Sequence, residues 1–117
     1  MINSSPTSFN FIGEGSSFTG EFHIKGHAHI FGHFTGDITG DKDSILTIEY
    51  AGKVEGSITG PNVHVHGQIL GDLKKTAGVE AFPTARIKGK IEANSIKIFP
   101  GAKIEGEILT KGNSSTE

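Results

Sequence analysis

There is no cysteine in this chain of 117 residues. That excludes a disulfide framework and any thiolate-held metal, and leaves the redox compartment open. Apolar residues supply only 34% of the sequence, less than an ordinary globular domain uses. No apolar run approaches the roughly 18 residues of a membrane-crossing helix, and no secretory signal is read in the first residues. A cytoplasmic protein is the default expectation. Charge of one sign is also lacking: 11 Lys and Arg stand against 13 Asp and Glu, for a formal net charge of −2. The chain as a whole therefore has no electrostatic pull toward nucleic acid. Nothing matches Gly-x4-Gly-Lys-Ser/Thr, and no Gly-x-Gly-x-x-Gly opens a helix, so a nucleotide-driven mechanism is not expected.

What is abundant is glycine, with 17 residues, and it follows no Gly-X-Y period. It falls instead inside a repeat. The run Phe82-Pro83-Thr84-Ala85-Arg86-Ile87-Lys88-Gly89-Lys90-Ile91 returns 17 positions later as Phe99-Pro100-Gly101-Ala102-Lys103-Ile104-Glu105-Gly106-Glu107-Ile108. A period near 17 suits one winding of a β-solenoid, in which each unit closes its core only by stacking on a neighbour. The heart of the repeat is apolar-x-Gly-x-apolar. Its alternation sends both apolar residues to one side and the polar ones to the other, with the glycine expected on the inward side. Six copies begin at Phe18, Phe34, Val54, Ile69, Ile87 and Ile104, with steps of 16, 20, 15, 18 and 17 residues. Corners of variable length account for the uneven steps, the longest corner being expected at Asp41–Ser44.

In chain order, residues 1–13 read as a flexible N-terminal tail, 14–110 as the repeat domain and 111–117 as a flexible C-terminal tail. Within the first tail, Phe9, Phe11 and Ile12 interrupt a polar run. Two readings stand for them: a lid over the first winding, or a short membrane-touching segment whose weak affinity would need many copies in an assembly. From Phe22 to Phe34, Phe22, Ile24, Ala28, Ile30 and Phe34 share the inward parity, while His23, Lys25, His27, His29 and His33 face outward. Leu46 and Ile48, Val63 and Val65, and Ile96 and Ile98 are further inward pairs, and His64 and His66 point out. His27 with His29 has the spacing of a chelating pair, but a metal centre needs three or four ligands and a second shell, so no functional metal is assigned.

The spacing of Ile12, Phe18, Ile24 and Ile30, six apart, fits a three-sided prism. The sequence therefore predicts an all-β fold: a parallel β-solenoid of about six windings with disordered tails. A parallel winding left open exposes unpaired N–H and C=O groups over an apolar core. No amphipathic helix is read at either end to cover it. The expected outcome is end-to-end stacking into a filament, through Phe18, Phe22 and Ile24 at one end and Ile98, Ile104 and Ile108 at the other.

On Phe34-Thr35-Gly36-Asp37-Ile38, Val54-Glu55-Gly56-Ser57-Ile58 and the run from Pro83 to Gly89, the chain resembles the bactofilins, a family of bacterial polymer-forming cytoskeletal proteins. The resemblance runs from about Phe9 to Leu109. It implies a right-handed three-sided β-helix, and filaments formed without nucleotide or other cofactor. It also implies a scaffold for cell-shape proteins or peptidoglycan-modifying enzymes, often beneath the inner membrane. The His-rich second winding and the Asp41-Lys42-Asp43 corner depart from the family pattern. The main rival is an enzyme, a left-handed β-helix acyltransferase of hexapeptide repeats, with His64 or His66 as general base. Its six-residue spacing is kept only locally here, so a non-enzymatic role is favoured. A nucleic-acid stripe of Arg86, Lys88, Lys90, Lys97 and Lys103 is disfavoured because Glu92, Glu105 and Glu107 interleave with it.

Overall fold

A computed structural model describes residues 9–13 and 15–110. Expectations for residues 1–8 and 111–117 lie outside the described residues. Every regular element among the described residues is a strand: β1 (Phe9–Ile12), β2 (Ser17–Ile24), β3 (His27–Ile30), β4 (His33–Gly40), β5 (Ile45–Ile48), β6 (Lys53–Thr59), β7 (Asn62–Val65), β8 (Gln68–Thr76), β9 (Gly78–Ala81), β10 (Arg86–Lys88), β11 (Ile91–Ala93), β12 (Ile96–Ile98), β13 (Lys103–Glu105) and β14 (Ile108–Thr110). One sheet runs β1-β3-β5-β7-β9-β12, and the other β2-β4-β6-β8-β10-β13, with β11 beside β8 and β14 beside β11. The strands pair in parallel throughout, as stacking of successive windings requires. The result is a β-solenoid of about six turns.

The long strands of the second sheet bend at their glycines and so form two of the three sides. The glycine motif sets the register. Phe18 lies on Phe34, Phe34 on Val54, Val54 on Ile69, Ile69 on Ile87, and Ile87 on Ile104. These are the 16-, 20-, 15-, 18- and 17-residue steps of the sequence. The inward residues fill a dry interior: Phe34, Ile38, Leu46, Ile48, Val54, Ile58, Val63, Val65 and Ile69 are all fully buried. At roughly 1.5–3 kcal/mol for each large aliphatic or aromatic side chain removed from water, this interior is the main favourable term.

The glycines of the repeat motif do not share that interior. Gly56 is exposed at a corner, with φ +137°, a conformation that side-chain-bearing residues rarely adopt. A Cβ there would point along the rod and strike the carbonyl oxygen of Gly36 in the winding before. Gly36, Gly71, Gly89 and Gly106 repeat this relation, so the glycines form a ladder that lets the corners stack at strand spacing. The 20-residue step also has two sources. Both corners of that winding, at 41–44 and at 49–52, are four residues long, where the winding before uses two at each. A further irregularity falls in β8, where Leu73 lies opposite Ile91 but Thr76 opposite Ala93. The extra residue is taken up near Lys75, the one described non-glycine residue with positive φ.

Phe9–Ile12, read as tail, form a strand whose backbone pairs with His27–Ile30. A parallel edge needs only backbone groups from its partner, which is why the glycine motif gives no sign of it. Among the described residues strand pairing thus starts at Phe9, inside the segment read as tail.

Candidate assembly surfaces at the two ends

At the N-terminal end, β1 and β2 have a partner on one side only among the described residues. Phe18 stacks on Phe34 at 5.3 Å between ring centroids, 11° from parallel, and remains 44% exposed. Phe22 leans on the same ring at 6.1 Å and on Phe18 at 6.2 Å. The end therefore presents an aromatic surface beside open strand edges. Gly20 begins the glycine ladder: a Cβ there would meet only the Phe18 ring, at 3.7 Å. Ile24 differs from the expectation. It is fully buried, so its side chain is sealed inside the protein and has no surface to offer another copy.

At the C-terminal end, β12, β13 and β14 are the last strands of their columns. Ile98 and Ile104 are half-buried against the core, as is Ala102. Ile108 is 37% exposed, and Leu109, which the sequence reading passed over, is 48% exposed. Leu109 has outward parity, so alternation alone discounts it; among the described residues β14 is the last strand and has a partner on one side only. An open edge over apolar side chains is costly in water and is the usual template for strand addition. Phe9, Phe11 and Ile12 lie in β1 by their backbone, and their side chains are outside the described residues.

Five of the six histidines have identified side-chain partners. His23 Nδ1 lies 2.9 Å from the Thr39 hydroxyl. His29 Nδ1 lies 2.8 Å from Glu49 Oε2, and His33 Nε2 lies 3.7 Å from Glu55, which Lys53 also approaches at 3.4 Å. His66 stacks on Phe82 at 4.3 Å, Phe82 stacks on Phe99 at 4.8 Å, and His64 meets the Phe82 ring edge-on. The two residues proposed as a general base are thus ring partners in an outer aromatic column. Among the described residues, no three His, Asp or Glu side chains are placed to hold a metal ion. The cations proposed as a stripe are divided: Arg86, Lys88 and Lys103 belong to strands of the second sheet, Lys90 to a glycine corner, and Lys97 to the first sheet. A hollow of about 500 Å³ beside the last strands is lined by Lys75, Glu92, Ala93, Asn94, Leu109 and Thr110. Among the described residues no helix is long and apolar enough to cross a membrane.

Residues 10–109 match the family model for bactofilin, described as polymer-forming cytoskeletal. The chain belongs to the bactofilin family. Bactofilin BacO of Myxococcus xanthus (strain DK1622) is 30% identical over 87 residues, an alignment covering 62% of this chain and 69% of that protein. No solved structure matches the chain. The matched span takes in every strand from β2 to β13 and most of β1 and β14, so both open ends of this bactofilin are part of the family domain. The family is a structural, cytoskeletal one, and self-association is its named property.

Proposed function

We propose that this bactofilin assembles end to end, without nucleotide, into cytoplasmic filaments that scaffold cell-shape or wall-modifying proteins at the inner face of the membrane. The observation that carries the reading is the pair of open solenoid ends. Each combines strand edges with exposed apolar side chains, Phe18 at one end and Ile108 and Leu109 at the other. Stacking a second copy on either end pairs the free backbone groups and removes those side chains from water. The same contact repeated at both ends has no natural stop, so it yields a fibre. Nothing in it requires an energy source, in keeping with the missing nucleotide motifs. Peptidoglycan-modifying enzymes are the partner class, and Phe9, Phe11 and Ile12 are the segment assigned to membrane contact, reinforced by repetition along the polymer.

Electron microscopy of the purified protein in nucleotide-free buffer tests the assembly. Wild-type protein is expected to form fibres. Phe18→Lys and Ile104→Lys are each expected to give short soluble species, because an unpaired charge buried at a stacking end costs several kcal/mol. Unchanged fibres from both variants, or a wild-type protein that stays monomeric at high concentration, would overturn the reading.

A further inference from the structure

One position on the outer face of the first sheet lacks the side chain that its column carries elsewhere. His27, Ile45 and Asn62 lie one above another at the start of β3, β5 and β7, and Gly78 follows them at the start of β9. The backbone of Gly78 does not call for glycine, since its φ is not positive. Nor does a neighbouring backbone. At Gly32, Gly52 and Gly67, where φ is also not positive, a Cβ would run into backbone carbonyls of the winding before. At Gly78 it would first meet the ends of side chains, Asn62 Oδ1 at 3.0 Å and Ser95 Oγ at 3.3 Å. A strand glycine with neither reason marks a place where something other than the protein's own backbone comes close.

The place is a hollow of about 370 Å³ whose lining includes Asn62, His64, Gly78, Glu80, Ser95 and Lys97. Asn62 is held in it. Its amide nitrogen donates to the carbonyls of Lys42, at 2.8 Å, and Ser44, at 3.4 Å. Two carbonyl partners fix which way round the amide lies, so Oδ1 turns to the vacancy as an acceptor. Glu80 adds a half-buried carboxylate with no ion pair among the described residues. Its neighbours in register are His64 and Lys97. His64 meets the Phe82 ring edge-on, and the Lys97 ammonium sits over the Phe99 ring, 5.3 Å from its centroid. Both turn to the aromatic column, and the carboxylate is left unpaired beside the hollow.

We infer that this notch binds a primary ammonium group, carried by a small diamine or by a lysine side chain. An ammonium has three N–H donors and no acceptor. Asn62 Oδ1, the Ser95 hydroxyl oxygen and the Glu80 carboxylate supply three acceptors, one of them charged. A guanidinium is a wider planar fork, and the notch is the width of one missing side chain. Calcium takes about six to eight oxygen ligands, more than converge here. The rest of the hollow has room for an alkyl stem. The site lies on the flank of a single copy and is complete without end-to-end assembly.

Equilibrium dialysis of the full-length protein against radiolabelled putrescine at low salt tests the site. Wild-type protein is expected to bind it saturably, with a single site per copy. Gly78→Ala keeps every charge and fills the notch; its Cβ displaces only side-chain ends, so circular dichroism should show the fold retained. It is expected to weaken binding about tenfold or more, as is Glu80→Gln, because hydrogen bonds to charged groups are the stronger ones. Glu92→Gln, which removes an exposed carboxylate from the other sheet, should leave binding unchanged. Tetramethylammonium, with the charge and no N–H, should not compete. No saturable binding by the wild type would overturn the site. So would wild-type binding by Gly78→Ala, or equal losses in Glu80→Gln and Glu92→Gln, since unspecific attraction would then suffice. Displacement by calcium at lower concentration than by unlabelled putrescine would overturn the ammonium in favour of a metal ion. An end-blocked Gly-Lys-Gly peptide separates the two sources. Stronger competition than putrescine assigns the notch to a lysine of a partner protein, weaker competition to a free diamine, and either result upholds the ammonium.

Discussion

The middle windings and the end windings are written in the same motif, and they differ in what lies above and below. Val54 and Ile58, in the third copy, are fully buried, as are Phe34 and Ile38 in the second. Their counterparts in the first copy are Phe18, 44% exposed, and the half-buried Phe22. In the last copy they are the half-buried Ile104 and Ile108, 37% exposed. Residue type and spacing hardly change, so burial here is a property of position in the stack. A winding cannot shield its own apolar pair; the neighbour does it. The ends are therefore core-type residues with a neighbouring winding on one side only among the described residues.

The glycine ladder offers the largest contrast. Gly56→Ala should cost more than about 3 kcal/mol, because it combines a forbidden φ with a Cβ driven into a rigid carbonyl. Gly20→Ala carries the same backbone strain but meets only an ordinary van der Waals contact with the Phe18 ring, and should cost about 1–3 kcal/mol. Urea unfolding followed by circular dichroism would compare them, and equal losses would show that the ladder's crowding is relieved in solution. A smaller difference is expected between Ile58→Ala, at about 2–5 kcal/mol, and Ile104→Ala, at roughly half that in unassembled protein. Raising the protein concentration until fibres form should close the gap, since a neighbouring copy would then cover Ile104. The smallest effect is assigned to Phe82→Ala, which removes the middle ring of an outer column shared with His66 and Phe99. Loss of the stacking itself is worth about 0.5–1.5 kcal/mol, and thermal unfolding should show a modest shift with fibre formation unchanged.

Much of the fold is legible in the sequence because one physical requirement recurs. The corner glycine and its two apolar flanks must stack, so their spacing gives the register of the second sheet residue by residue. The outward His64 and inward Val63 and Val65 of Asn62–Val65 follow from simple alternation. The strand at Phe9–Ile12 was hidden because it contributes backbone hydrogen bonds and carries no glycine corner. The direction of the glycines was hidden because it depends on φ, which composition does not report. Among the end residues, Phe18 and Ile108 are legible as apolar members of terminal copies. Ile24 is not: parity places it inward, but its complete burial in the first winding depends on how the end closes. Leu109 shows the reverse case, an outward apolar residue that stays exposed on the last described strand.

The corners, by contrast, keep no fixed length. The chain spends two residues at 31–32 and four at 49–52, yet Ile48 still meets Ile30 and Val54 still meets Phe34. Insertions there are absorbed sideways into solvent, while a residue added within a side turns the following side chains over unless a bulge takes it up, as near Lys75 in β8. Lineages of such proteins are thus free to grow loops on the prism's edges and to vary what decorates a fibre's flank, with the spine held constant.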